Sequence, residues 1–103
     1  MSSKSIENTE QVRELERAIL GGLMLETERY DVVSEIIEFT DFEGQDHQSI
    51  FQSMGELVNS NKPLDPLTVS DRLDSKNLLT RAGGKNYLID LASTSPSAAN
   101  LEA

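Results

Sequence analysis

Two adjacent glycines, Gly21 and Gly22, interrupt the regular apolar repeat of the N-terminal part of the chain. The apolar residues around them recur at intervals of three and four, which predicts an amphipathic helix: Val12, Leu15, Ile19 and Leu23. Each glycine inside a helix costs about 0.5 to 1 kcal/mol relative to alanine. This cost is usually offset when another backbone packs closely against the helix at a position where a side chain would clash. We therefore predict a tight helix crossing in which both glycines have a structural role.

The boundaries of this helix and the position of the next one follow from capping and periodicity. Asn8, with Gln11 three residues later, resembles a capping box and predicts a helix start, and the helix should end near Leu25. A second short helix of two to three turns is predicted from two apolar pairs four residues apart, Val32-Val33 and Ile36-Ile37. Their β-branched content makes a strand the alternative. The helix is favoured because the intervening charged residues fall on the opposite face.

Three further helices are predicted in the remainder of the chain. One begins at about Asp46, ends at the turn-forming segment 59–63, and carries one apolar stripe: Ile50, Phe51, Met54, Leu57 and Val58. The next begins at Asp65 and Pro66, since a capping carboxylate followed by proline is a strong start signal, and it buries Val69 and Leu73.

The last complete helix begins near Gly84 and breaks after Ser93, and its buried residues are Tyr87, Leu88, Leu91 and Ala92. Another helix should start at Ser97. The predicted fold is therefore an all-α, compact globule of five or six short helices. We expect residues 1–9 to form a flexible extension and residues 10–103 to form the domain.

Composition limits the kind of partner. With 103 residues the chain forms one small domain. Its formal net charge of −9 argues against a nucleic-acid partner, because phosphate binding depends on Lys and Arg, and it favours a basic protein instead. The absence of cysteine fits a reducing compartment. No signal peptide and no apolar run near the roughly 18 residues of a membrane span are present, so we expect a cytoplasmic protein without a membrane partner.

Motifs for catalysis are weak. Gly83-Gly84-Lys85 suggests a phosphate loop, but Asn86 stands where the motif needs serine or threonine. His47 is the single histidine, and three acids near it could supply oxygen ligands to a metal: Asp41, Glu43 and Asp46. The spacing does not match a calcium loop, and capping of the third helix explains the acids better. We predict no catalytic, cofactor-binding or metal residue; a small hydrolase or metal-dependent enzyme using His47 is the alternative.

A series of short motifs stands in the order and spacing of one family: Glu16, Leu20-Gly21-Gly22-Leu23-Met24-Leu25, Asp41-Phe42, His47, Ile50-Phe51, Pro63-Leu64-Asp65, Leu67-Thr68-Val69, Gly83-Gly84, Tyr87-Leu88 and Pro96-Ser97-Ala98-Ala99-Asn100. The chain resembles the N-terminal domain of the bacterial replicative DNA helicase, the DnaB type. The resemblance extends from about residue 10 to residue 100.

This resemblance implies a compact helical domain followed by a helical hairpin, a linker and a RecA-like ATPase domain. The chain would stop before the hairpin, so ATP and Mg would belong only to the absent motor domain. The implied role is the assembly of a hexameric ring as a trimer of dimers and the binding of the C-terminal domain of primase, with a helicase loader as a further candidate partner. A free-standing phage or plasmid adaptor that binds host replication proteins is the alternative function.

The resemblance also assigns two candidate partner-binding residues. Tyr87 and Asp65 stand at positions that match family residues tied to primase response and helicase function. Structural interpretations compete with both assignments: Asp65 as the helix cap, and Tyr87 as a core aromatic with a hydrated hydroxyl. The segment after Phe42 departs from the family pattern, which often has an aromatic residue after Asp-Phe and a basic residue and proline before the histidine. Here that segment is Glu43-Gly44-Gln45-Asp46. We therefore transfer no partner contact to this segment.

Overall fold

The computed structural model describes residues 2–94, with side chains described from residue 9 onward. Every regular element in this range is helical, which confirms the all-α prediction: α1 (Ser2–Leu25), α2 (Tyr30–Ile36), α3 (Gly44–Asn59), α4 (Pro66–Ser75) and α5 (Gly84–Ser93), with short 3₁₀ helices at Thr27–Arg29 and Phe39–Asp41. α1 packs against α5 and α3, and α4 packs against α3 and α5. The helix predicted from Ser97 lies outside the described residues.

Helix α1 ends at Leu25 as predicted, but it begins at Ser2, so the start predicted at Asn8 was wrong. The division into an extension, residues 1–9, and a domain, residues 10–103, stays a prediction, although residues 2–9 continue the helix. Only part of the apolar stripe of α1 faces the core. Val12 and Leu15 are 37% and 62% exposed, because only the C-terminal half of α1 lies in the core, where Leu20 and Leu23 are buried.

The glycine pair lies in this buried half of α1. Gly21 and Gly22 are both buried. Gly22 also lines a cleft of about 230 Å³ together with Ile19 of α1 and Val33 of α2. Both glycines are therefore buried, and the close backbone approach inferred from them stays a prediction.

The segment Tyr30–Ile36 forms the seven-residue helix α2, which rules out the strand alternative. Its buried face differs from the prediction: Val33 and Ile37 pack against the core, whereas Val32 and Ile36 are 63% and 76% exposed. Neighbouring residues of a helix point about 100° apart. Two adjacent pairs therefore form two lines on the surface, and here only one of them faces the core.

Helices α3 and α4 form the predicted core. α3 begins at Gly44, two residues before the predicted start, and its apolar stripe is buried as expected except for the half-buried Val58. Asp65 caps α4: one carboxylate oxygen accepts from the backbone N–H of Thr68 at 3.3 Å, and the other accepts from the Thr68 hydroxyl at 2.6 Å. Pro66 is the first helical residue, which confirms the predicted start.

The turn before α5 depends on glycine. Gly83 and Gly84 have φ angles of +107° and +85°, in the left-handed region that favours glycine. A Cβ atom at Gly83 would lie 2.7 Å from Cδ2 of Tyr87, so this position also lacks room. Leu88 and Leu91 are buried as predicted, while Tyr87 and Ala92 are half-buried.

Candidate functional site

His47 links three helices through a chain of hydrogen bonds. It lies in the first turn of α3 and is fully buried. Its Nδ1 is 2.7 Å from Oε1 of Glu16 on α1, and its Nε2 is 2.6 Å from the hydroxyl oxygen of Tyr87 on α5. The sequence indicated no specific partner for this histidine, whereas the structure shows one on each ring nitrogen.

The partners of Glu16 and His47 determine the direction of the hydrogen bonds. Oε2 of Glu16 accepts from the backbone N–H of Glu43 at 2.7 Å, and an ionised carboxylate can only accept. Nδ1 of His47 therefore donates to Glu16. In the neutral imidazole, Nε2 then accepts from the Tyr87 hydroxyl, and the donor-only guanidinium of Arg13, 3.4 Å from Nε2, favours the same arrangement. The buried carboxylate of Glu16 is thus fully hydrogen-bonded, as a buried charge requires.

Arg13 and Asp46 form the outer part of this cluster. The guanidinium of Arg13 donates to both carboxylate oxygens of Asp46, at 2.7 and 3.2 Å, and to the carbonyl of Glu43 at 3.0 Å. Asp46 also accepts from the backbone N–H of His47 at 2.7 Å. We call these five residues the His47 cluster: Arg13, Glu16, Asp46, His47 and Tyr87.

The pKa values in the cluster follow from burial and charge. Burial alone would raise the pKa of Asp46, but the hydrogen bonds from Arg13 and from the His47 N–H lower it below the ordinary value. The hydrogen bond to Asp46 raises the pKa of Arg13 further. Burial raises the pKa of Tyr87, and the charge of Asp46 adds to this effect against the opposing charges of Arg13 and Arg17. Tyr87 therefore remains a neutral hydroxyl donor.

The acids near His47 were expected to cap α3, and only one of them acts there. Glu43 occupies the N-cap position but makes no capping hydrogen bond with its side chain, so its predicted role was wrong. Asp46 lies in the first turn, where its charge complements the helix dipole as predicted, and it accepts from the backbone N–H of His47. The side chain of Asp41 instead accepts from the backbone N–H of Glu38 at 2.9 Å, which caps the preceding 3₁₀ helix.

The cluster is built for holding helices rather than for catalysis. A carboxylate, an imidazole and a hydroxyl in series have the connectivity of a nucleophile with its base. However, His47 is 0% exposed and the raised pKa of Tyr87 disfavours the phenolate. Among the residues with described side chains, no group of three or more His, Cys, Asp or Glu is placed to hold a metal ion. The metal-site alternative therefore has no support in this part of the chain.

The structure places the two candidate partner-binding residues in different settings. Asp65 is half-buried, and its hydrogen bonds hold the start of α4. Tyr87 belongs to the His47 cluster, and its hydroxyl is bonded to a buried imidazole. The hydration expected at this hydroxyl stays a prediction. The sequence contained one signal for this cluster: His47 precedes Ile50 by three residues and extends the buried stripe of α3 back by one turn.

No helix within residues 2–94 is long and apolar enough to cross a membrane. Comparison with known families gives one match: the model of the DnaB-like helicase N terminal domain matches residues 8–103. This match includes every member of the His47 cluster.

Comparison with individual proteins agrees with the family match. The chain is 43% identical over 88 residues to the replicative DNA helicase DnaB of Buchnera aphidicola subsp. Baizongia pistaciae, covering 85% of this chain and 19% of that protein. It is 37% identical over 89 residues to the replicative DNA helicase DnaC of Bacillus subtilis, covering 86% and 20%. The chain thus spans about a fifth of the length of these curated relatives.

Among solved structures, the N-terminal domain of DnaB helicase from Mycobacterium tuberculosis has a similar fold, with a TM-score of 0.76 and 38% sequence identity. The similarity covers 82% of this chain and 59% of that chain. The arrangement of helices described above is therefore shared with an experimentally determined structure.

Proposed function

The chain belongs to the family of DnaB-like helicase N-terminal domains, and on that basis we propose that it is a non-catalytic interaction domain of a replicative DNA helicase. Its proposed partners are other helicase subunits, in the assembly of a ring, and the C-terminal domain of primase; a helicase loader is a further candidate. The family match over residues 8–103 carries this proposal. ATP and Mg binding and the motor activity belong, in this proposal, to other parts of the full-length helicase.

The charge of the domain supports a protein partner. Eighteen acidic and nine basic residues give a formal net charge of −9. Among the residues with described side chains, three bases are paired with acids of α3: Arg13, Arg72 and Lys76. Such a surface repels phosphates and attracts basic patches, which speeds encounter with a basic protein. We expect no ATP hydrolysis and no salt-sensitive retention of single-stranded DNA by this chain at micromolar concentration.

The His47 cluster supports the proposed role of Tyr87 in primase binding. Its hydroxyl is held inside the domain by His47, so the side chain is oriented and only part of its ring is available to a partner. An aromatic ring held in this way loses little conformational entropy on binding, which favours a contact with high affinity. We propose a less direct role for Asp65. Its carboxylate fixes the first turn of α4, and it would thereby position any residue of that turn that contacts a partner.

Two substitutions of Tyr87 separate the ring from the hydroxyl. Tyr87→Phe keeps the ring but leaves Nε2 of His47 without its donor, so it should lower stability by about 1–3 kcal/mol and leave primase binding in place. Tyr87→Ala should lower both stability and binding. Calorimetric titration with the cognate primase C-terminal domain, alongside thermal melts of the same variants, measures the two effects. Ile89→Ala, an exposed apolar change on the same helix, is the matched control.

The outcomes decide between the proposed roles. Undiminished binding by a folded Tyr87→Ala variant would remove this residue from the contact. Loss of binding by Tyr87→Phe equal to that of Tyr87→Ala would mean that the hydroxyl, not the ring, is required. No binding by the unsubstituted chain would remove primase from the proposal and leave subunit assembly. Sedimentation of a longer chain that contains the expected hairpin would then test that assembly.

A further inference from the structure

Helix α2 presents an apolar pair to solvent. Val32 and Ile36 are 63% and 76% exposed, and they lie four residues apart on one line of the helix. Residues at this spacing are neighbours on the helix surface. The two side chains therefore form one continuous aliphatic ridge, outside the core that Val33 and Ile37 contact.

Acidic side chains flank this ridge. Six acids and one base stand between residues 26 and 41, and the base, Arg29, is paired with Glu26 at 2.9 Å. Of the remaining acids, four are exposed on α2 or directly beside it: Glu28, Asp31, Glu35 and Glu38. The surface thus combines an aliphatic centre with a negatively charged rim.

We propose that this α2 ridge is a docking surface for a basic amphipathic helix of a partner protein, with aliphatic side chains along one line and lysine or arginine beside them. The aliphatic line would cover Val32 and Ile36, and the basic residues would face the acidic rim. A helix that presents anchors at intervals of three and four residues fits a target of this kind. Opposite charges around an apolar centre favour both encounter and orientation.

A second copy of this chain fits the ridge less well. The chain has a formal net charge of −9, so two copies brought together at this acidic segment repel each other. The proposal also stands apart from the proposed primase contact, because it uses no member of the His47 cluster. Its test needs no primase, and its failure would leave the function proposed above unaffected.

The test uses fluorescence anisotropy of a labelled helical peptide of about 18 residues, with one leucine stripe flanked by lysines. A peptide of the same composition with dispersed leucines, and a glutamate-flanked peptide, are the ligand controls. We expect the unsubstituted chain to bind the lysine-flanked stripe more tightly than either control peptide. Binding should weaken as salt rises from about 50 to about 500 mM, since exposed charges are screened.

Substitutions on α2 locate the binding. Val32→Ser with Ile36→Ser should weaken binding by about fivefold or more without unfolding the chain, because the ridge lies outside the core. Glu28→Gln with Glu35→Gln should weaken it mainly at low salt. The matched controls are Leu67→Ser with Ile89→Ser, which removes two exposed apolar side chains elsewhere, and Glu10→Gln with Glu14→Gln, which removes the same charge from α1.

Three results would overturn the proposal. If the peptide with dispersed leucines bound as tightly as the peptide with the leucine stripe, binding would depend on charge alone and not on the ridge. Equal loss in the control variants would place binding elsewhere. Self-association that Val32→Ser with Ile36→Ser abolishes, measured by sedimentation and accompanied by no peptide binding, would assign the ridge to a second copy of the chain.

Discussion

Helices α2 and α3 carry similar apolar spacing but differ in what they bury. α3 buries six residues of its inner face, whereas α2 buries none. α3 packs against both α1 and α4. α2 meets the core along one face, where Val33 packs against it and the ring of Tyr30 lies 5.3 Å from the ring of Phe51 in α3. Apolar spacing therefore identifies both segments as helices. How much of each helix is buried depends on the other elements that pack against it.

The largest expected effect tests this contrast directly. Ile50→Ala in α3 removes a fully buried side chain and should destabilise the domain by about 2–5 kcal/mol, because a cavity is left in the core. Ile36→Ala in α2 removes an exposed side chain and should change stability by no more than about 0.5 kcal/mol. Urea denaturation measures both. Similar losses in the two variants would show that α2 belongs to the core after all.

The next effect concerns the tightness of packing on the α2 side. Gly22→Val should overpack the buried half of α1 beside Val33 and cost about 1–3 kcal/mol. Glu14→Gln, on the exposed part of α1, is the control and should leave the denaturation midpoint in place. Equal midpoints for the two variants would mean that Gly22 borders a space that can take a side chain and that no close crossing exists there.

A smaller effect is expected at the start of α4, which packs against the well-buried α3. Asp65→Ala removes the carboxylate that accepts from Thr68 and should cost about 1 kcal/mol. Asp65→Asn keeps a capping oxygen and should restore most of that loss. A thermal melt of the two variants decides the matter. If Asp65→Asn were as unstable as Asp65→Ala, charge rather than capping would be the contribution of this residue.

The smallest effect is a contribution of Asp46 to stability that is lost in acid. The folded-state pKa of Asp46 lies below its ordinary value of 3.8, so its ionised form stabilises the folded chain at higher pH. That contribution is fully present above the ordinary pKa and is lost as pH falls through the folded-state pKa. Asp46→Asn should therefore be less stable than the unsubstituted chain at neutral pH, with a difference that narrows below about pH 4. A pH series of thermal melts, with Asp31→Asn of α2 as control, checks this; a constant difference across the series would contradict it.

The sequence predicted those parts of the fold that depend on local signals. Asp65 and Pro66 marked the start of α4, and the stripe from Ile50 marked the buried face of α3, because capping and periodicity act over a few residues. The outward direction of Val32 and Ile36 was missed, since it depends on which neighbours α2 has.

The His47 cluster was missed for a related reason. Glu16 and His47 are 31 residues apart, and His47 and Tyr87 are 40 residues apart. Nothing in the spacing of these residues indicates a contact; only the packing of α1, α3 and α5 brings them together. The family resemblance singled out Glu16, His47 and Tyr87 individually but did not supply the bonds between them.

This hydrogen-bond chain also bears on the order of events in folding. Its two links join residues 31 and 40 positions apart, so they require three separate helices to be in place. Contacts of such sequence separation carry a large loop-closure entropy and form after the local turns of each helix. Until α5 docks, His47 and Glu16 lack a complete set of partners in an apolar setting. The cluster therefore favours all-or-none folding, in which partly assembled forms of the domain stay sparsely populated.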